Sequence, residues 1–167
     1  MWSTKSVIKT FVIGIVSVLS VTIAGFYLFH GMAQNAQISD IDYAKISAVM
    51  TGIYIGGIPN LAPVSKAVNL PQHLFLIVSG YDLIVTGLYL ILIIFCGKLI
   101  VSKIFKINGD LVLVSSIALI NSPPFVPMVA AVLNNKNIIL PGIAIGLLGY
   151  AVGNYLGIGI FMMLTGF

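Results

Sequence analysis

Four side chains in this sequence can handle ions within an apolar setting: Asp82, Asn60, Asn121 and Ser122. Asp82 lies in the run LIVSGYDLIVTGL, with no other charge nearby. Acids at membrane depth are costly, and they face a cavity or a partner and mark ion or proton paths. Burial penalises the charged form of a carboxyl, which suits a group that takes up and releases H⁺ or Na⁺. Asp82 is therefore the expected ion-coupling residue, set against the plainer reading of a structural carboxylate hydrogen-bonded near a helix end. Asn60, Asn121 and Ser122 offer neutral oxygens. Together with unwound carbonyls and half-helix termini, these can coordinate Na⁺ or an anion without a full charge. Asn and Ser also favour turns, and both uses stay open.

The neutral donors sit where two apolar segments are broken. The first segment, KISAVMTGIYIGGIPNLAPVSKAV, is interrupted at Gly56-Gly57-Ile58-Pro59-Asn60 and again at Pro63, with Thr51 and Ser65 close by. The second, DLVLVSSIALINSPPFVPMVAAVL, is interrupted at Asn121-Ser122-Pro123-Pro124 and again at Pro127. Proline lacks the backbone N–H and clashes with the carbonyl four residues back, so neither segment can be one unbroken helix. In lipid, freed backbone groups persist only where they are buried in protein or line a wet cavity. Paired Gly/Pro-interrupted segments point to the substrate or ion site of a carrier. The expected cavity residues are Gly56, Gly57, Pro59, Asn60, Asn121, Ser122, Pro123 and Pro124.

Composition dictates what must position these groups. Of the 167 residues, 59% are hydrophobic and only 7% charged, and the mean hydropathy is +1.14. Soluble domains carry about 25% charge, so this chain lacks the means to solvate a surface. Five apolar stretches, residues 7–29, 45–68, 74–100, 111–133 and 138–164, are each long enough for the roughly 20 residues of a span. The fold expected is an all-α polytopic membrane protein of about five transmembrane segments, two of them broken. No linker or low-complexity tract divides the chain, so residues 1–167 read as one transmembrane domain. The first stretch follows Lys5 and Lys9 but is longer than the apolar core of a signal peptide, and it reads as a retained helix.

The net charge of +4 comes from eight lysines and no arginine. They fall at segment ends and form no basic face, which argues against a nucleic-acid partner. With five spans, Lys5, Lys9, Lys66 and Lys136 share one side and Lys45, Lys98, Lys103 and Lys106 the other, so lysine bias sets no orientation. Cys96 reads as a small buried hydrophobe. His30 and His73 stand at segment ends, and zinc-type ligand spacing is absent, so no metal or cofactor is expected beyond Na⁺.

The last stretch carries Gly142, Gly146, Gly149, Gly153 and Gly157 at three- and four-residue spacings along one face. Small residues so spaced let helices approach closely. Asn154 in the same stretch reads as an interhelical hydrogen-bonding group. An intramembrane aspartyl protease would pair Tyr81-Asp82 with a Gly-x-Gly-Asp. The sequence Ile107-Asn108-Gly109-Asp110 lacks the first glycine, and its acid lies in a polar loop, so an enzyme is not expected.

The runs TGIYIGGIPNLAPVSKAV, YDLIVTGLYLIL and FKINGDLVLVSSIALINSPPFVPMVAAVLNNKNIILPGIAIGLLGYAVGNYLG resemble the YjcL-like uncharacterised membrane proteins, domain of unknown function 819. That family is similar to the superfamily of cation/proton antiporters and bile-acid-type sodium symporters. The resemblance implies two inverted repeats whose broken helices cross near the midplane, with Gly56–Asn60 and Asn121–Pro124 as the crossing points. It also matches Asp82 to the ion-binding acid after the first crossing. Members of the family are expected to be more than twice as long as this chain. With a single span between them, the two broken segments are expected to run parallel, so that a homodimer of opposite orientations would be needed to complete the crossing. The function expected is secondary transport of a small solute, an organic ion, coupled to Na⁺ or H⁺, in the plasma (inner) membrane of a prokaryotic cell. The alternative is a membrane scaffold without transport activity.

Overall fold

The computed structural model describes residues 4–92 and 109–166, and the described residues are helical throughout, with no strand. Cys96, Lys98, Lys103, Lys106 and the loop over 101–108 lie outside the described residues. The helices are α1 (Thr4–Asn35), α2 (Asp40–Gly56), α3 (Leu61–Ala67), α4 (Gln72–Leu92), α5 (Gly109–Ile120), α6 (Val126–Val132) and α7 (Ile139–Thr165). Single 3₁₀ turns at Ile58–Asn60, Pro123–Phe125 and Lys136–Ile138 lead into α3, α6 and α7.

Three helical stretches are long and apolar enough to cross a membrane: Lys5–Asn35, Gln72–Leu92 and Lys136–Thr165. Their outward residues are large and bare, Leu28, Leu83 and Leu140 each being more than 70% exposed, at 76%, 73% and 79%. Such a surface requires lipid around it, and the chain is an all-α polytopic integral membrane protein.

The two broken segments are helical but turn back on themselves. α5, at 12 residues, extends about 18 Å and cannot cross a hydrocarbon core of about 30 Å. After the break at Asn121-Ser122, α6 returns along α5. Val126, Val129 and Ala130 pack with Leu113, Val114, Ile117 and Ala118 in one buried cluster. The return is closed at its outer end, where Asn135 Nδ2 donates to Asp110 Oδ2 over 3.0 Å. The first segment does the same. Val64 and Val68 of the returning limb pack with Ala48, Val49 and Ile53 of α2. Pro63 and Pro127 therefore do not kink a continuing helix. They lie in the first turn of α3 and α6, where a missing N–H loses no intrahelical bond.

The two hairpins have one design, at a constant spacing in sequence. Gly57 corresponds to Ser122, Leu61 to Val126, Ala67 to Val132 and Asn69 to Asn134. The last two both hold positive φ, 51° and 52°. Matching hydrogen bonds close the returning limbs, Leu70 N to Ser65 O at 2.9 Å and Asn135 N to Ala130 O at 3.0 Å.

Their directions are opposite. Along α7, Gly142 and Gly146 face Val114 and Ala118 of α5, whereas Gly149, Gly153 and Gly157 face Ile55, Gly52 and Ala48 of α2. The residue numbers rise with α7 in the first case and fall in the second, so α5 is parallel to α7 and α2 antiparallel to it. The expected parallel arrangement is thereby corrected. Counting both segments as spans missed that each returns to the end it entered from, which leaves α4 to carry the chain across between them. One chain supplies the antiparallel pair, and a second copy of opposite orientation is not needed for it. Lys66 is corrected likewise: it shares an end with Lys45, while Lys5, Lys9 and Lys136 mark the other among the described residues.

Candidate functional site

The hairpin tips meet at the middle of the bundle. A side chain at Gly57 would collide with Ser122 Oγ, and the Ser122 Cα would lie 3.2 Å from its Cβ. Gly57 has φ 78° and ψ −179°, a backbone region open essentially to glycine alone. Gly56 leaves room for the Asn60 side chain, whose amide also fills the space that a Cβ on Gly153 of α7 would take. Asn60 is fully buried, and its Nδ2 donates to the Gly52 carbonyl oxygen over 3.1 Å. Sequence reasoning did not foresee that the glycines of α7 are shared between both hairpins. Gly146 receives Pro123, Gly149 abuts the Ile55 carbonyl, and Gly157 would place a Cβ 2.7 Å from the Ala48 carbonyl oxygen.

Each tip carries the C-terminal end of one helix, α2 or α5, and the start of the returning limb, so last carbonyls and first N–H groups both point into the junction. The buried oxygens Asn60 Oδ1, Asn121 Oδ1 and Ser122 Oγ have no hydrogen-bond partner among the described residues. Buried amide and hydroxyl oxygens without donors are costly. These donors are hard, neutral oxygens, which fit Na⁺ and do not fit a soft transition metal. Among the described residues no cluster of three His, Cys, Asp or Glu forms.

Asp82 lies on α4, 3% exposed, and accepts a 3.1 Å hydrogen bond from Thr86 Oγ1. Tyr54 of α2 and Thr86, which holds Asp82, line the same space between the helices. None of the tip residues hydrogen-bonds to Asp82 among the described residues. No ion pair reaches it either, the described ones being His30 with Asp40 at 3.6 Å and Lys45 with Asp42 at 3.2 Å. The structure thus brings Gly56, Gly57, Asn60, Ser122 and Pro123 together around α7 and sets Asp82 beside the first hairpin. Asn154 follows Gly153 on α7, and its Oδ1 is buried without a partner among the described residues. Asp110, at the outer end of the second hairpin, is held by Asn135.

A cavity of about 760 Å³ opens between α1, α2 and α4 and reaches Ile120, the residue before the second tip. Thr86 lines it, so the residue that holds Asp82 also borders this space. A family model described as "Protein of unknown function (DUF819)" matches residues 82–167, from Asp82 through the second hairpin and the whole of α7. No curated protein and no solved structure matches the chain.

Proposed function

The chain belongs to the family described as protein of unknown function DUF819, and from its opposed hairpins we propose that it is a secondary carrier. It moves a small organic ion coupled to Na⁺ or H⁺, with Asp82 as the coupling carboxylate and Asn60, Asn121 and Ser122 as neutral donors. The observation that carries this reading is the junction itself. Two broken-helix tips meet in the bundle interior, around buried oxygens that lack donors among the described residues. A merely structural junction gains nothing from leaving such groups unsatisfied. Halves related by inversion around a midplane site are the architecture through which carriers alternate access. The resemblance of the sequence to cation-coupled carriers supports the same reading.

The test is solute flux in proteoliposomes loaded with a pH-reporting dye, using a panel of small organic cations and anions with and without Na⁺. At least one solute should move in a way that depends on the Na⁺ or H⁺ gradient, and Asp82→Asn should abolish that dependence while the protein still assembles. Absence of gradient-dependent movement across the panel would favour the scaffold reading. So would an Asp82→Asn variant that transports normally.

A further inference from the structure

The geometry points to the cavity between α1, α2 and α4 as the binding site for an organic cation with a bulky apolar body, which displaces a proton from Asp82. This inference rests on the carrier reading and names its substrate class. Three observations carry it. The cavity, at about 760 Å³, falls within the usual range of small-molecule pockets. Its walls include five aromatic rings, Phe26, Phe29, Tyr43, Tyr54 and Tyr89, and no charged residue among the described residues. Aromatic faces attract cations and repel anions through the ring quadrupole. Phe26 and Tyr43 stack with centroids 4.9 Å apart, forming a rigid plate on one wall.

The sign of charge is set by Asp82. It is held by Thr86, a residue of the cavity wall whose hydroxyl donates to Oδ1. The titratable group that faces it from α2 is Tyr54, and no described lysine or histidine pairs with it. A buried carboxylate without a counter-ion is neutralised by a proton or by a cation brought in with the ligand. One carboxylate serving both makes their binding mutually exclusive. The cavity then takes the cation as the proton leaves, with charge conserved, which is the coupling an exchanger needs. An anion meets no positive group on this lining among the described residues.

The experiment is equilibrium dialysis of the purified full chain in detergent against radiolabelled tetraphenylphosphonium, with tetraphenylborate as the anion of the same shape. Wild type should bind the cation saturably, more tightly in alkaline than in acidic medium, and release a proton into weak buffer on binding. Tetraphenylborate should not bind saturably. Asp82→Asn should weaken cation binding on the order of 30-fold or more and release no proton, as expected when one partner of a buried charge pair is removed. Gly25→Phe is the second variant, since a Cβ there meets nothing within 4 Å and projects from a cavity-lining position. It should fold and lose binding. Equal binding of both ions, or unchanged cation binding by Asp82→Asn, would overturn the inference and mark the cavity as a slot for lipid chains. Gradient-dependent flux of some other solute that requires Asp82, with no saturable tetraphenylphosphonium binding, would sink this inference and leave the carrier reading standing. Saturable, Asp82-dependent cation binding with no gradient-dependent flux would do the reverse.

Discussion

Gly57 and Ser122 touch at the tips of two helical hairpins that enter the bundle from opposite ends. They occupy equivalent positions and share a backbone conformation, φ 78° with ψ −179° at Gly57 and φ 101° with ψ 156° at Ser122. Glycine adopts it freely, whereas serine holds it under strain of about 1–3 kcal/mol. Strain of that size persists where the surrounding structure or a function demands the side chain. Ser122 Oγ is buried and aimed at the opposing tip, and it has no donor or acceptor among the described residues.

Ser122→Gly should therefore separate stability from ion binding. Relief of the φ strain should raise the unfolding free energy by about 1 kcal/mol or more, within the range such conformations cost. The stabilisation by Na⁺ over K⁺ expected of wild type should shrink at the same time, because an oxygen donor is gone. Thermal unfolding in detergent with either salt reads both effects. A variant that is less stable and still responds fully to Na⁺ would show Ser122 to be a packing residue only.

The glycines of α7 make a paired prediction. At Gly149 an added methyl meets the Ile55 backbone carbonyl, which cannot rotate away, so α7 and α2 must separate. Gly149→Ala should cost about 1–3 kcal/mol, the usual penalty of forced overpacking. At Gly159 nothing lies within 4 Å of the new methyl. Gly159→Ala should be neutral or stabilise by about 0.5–1 kcal/mol, the helix preference for alanine over glycine. Comparing the two melting temperatures checks the interface directly.

Asp82 and Thr86 are expected to respond differently. In Asp82→Asn the amide oxygen can still accept from Thr86, and no carboxyl has to be buried, so thermal stability should be unchanged or higher. Ion dependence should nonetheless vanish. Thr86→Val removes the one donor that Asp82 has among the described residues, which should cost about 1–3 kcal/mol. Unfolding curves for both variants, with and without Na⁺, distinguish a coupling carboxylate from a structural one.

The sequence located the breaks because Gly-Gly-Ile-Pro and Asn-Ser-Pro-Pro leave a helix no means to continue. It did not reveal that the chain doubles back. A proline after a break reads the same whether it kinks a helix or begins a returning one, and a hairpin of apolar limbs is as long in sequence as a span. Two signals were present and unread. Asn69 and Asn134 follow the breaks at the same distance, marking equivalent ends of the returning limbs. The stripe on α7 extends further than one helix pair requires, which fits a helix that serves both hairpins in turn. Asp82 stood out as an acid in an apolar run. Its hydrogen bond to Thr86 is an ordinary four-residue helical spacing, but the cavity beside it is a tertiary feature with no local signature.

The most direct measurement concerns the sides to which the two returning limbs return. Lys66→Cys, at the end of α3, and Lys136→Cys, just before α7, would be made singly in a Cys96→Ser background. Each would then be labelled in oriented vesicles with a membrane-impermeant maleimide from either face. Opposed hairpins predict labelling of Lys66→Cys from one face only and of Lys136→Cys from the other face only. Labelling of both from the same face would mean that the broken segments cross as parallel spans, and the opposed tips, with the ion site proposed between them, would not exist.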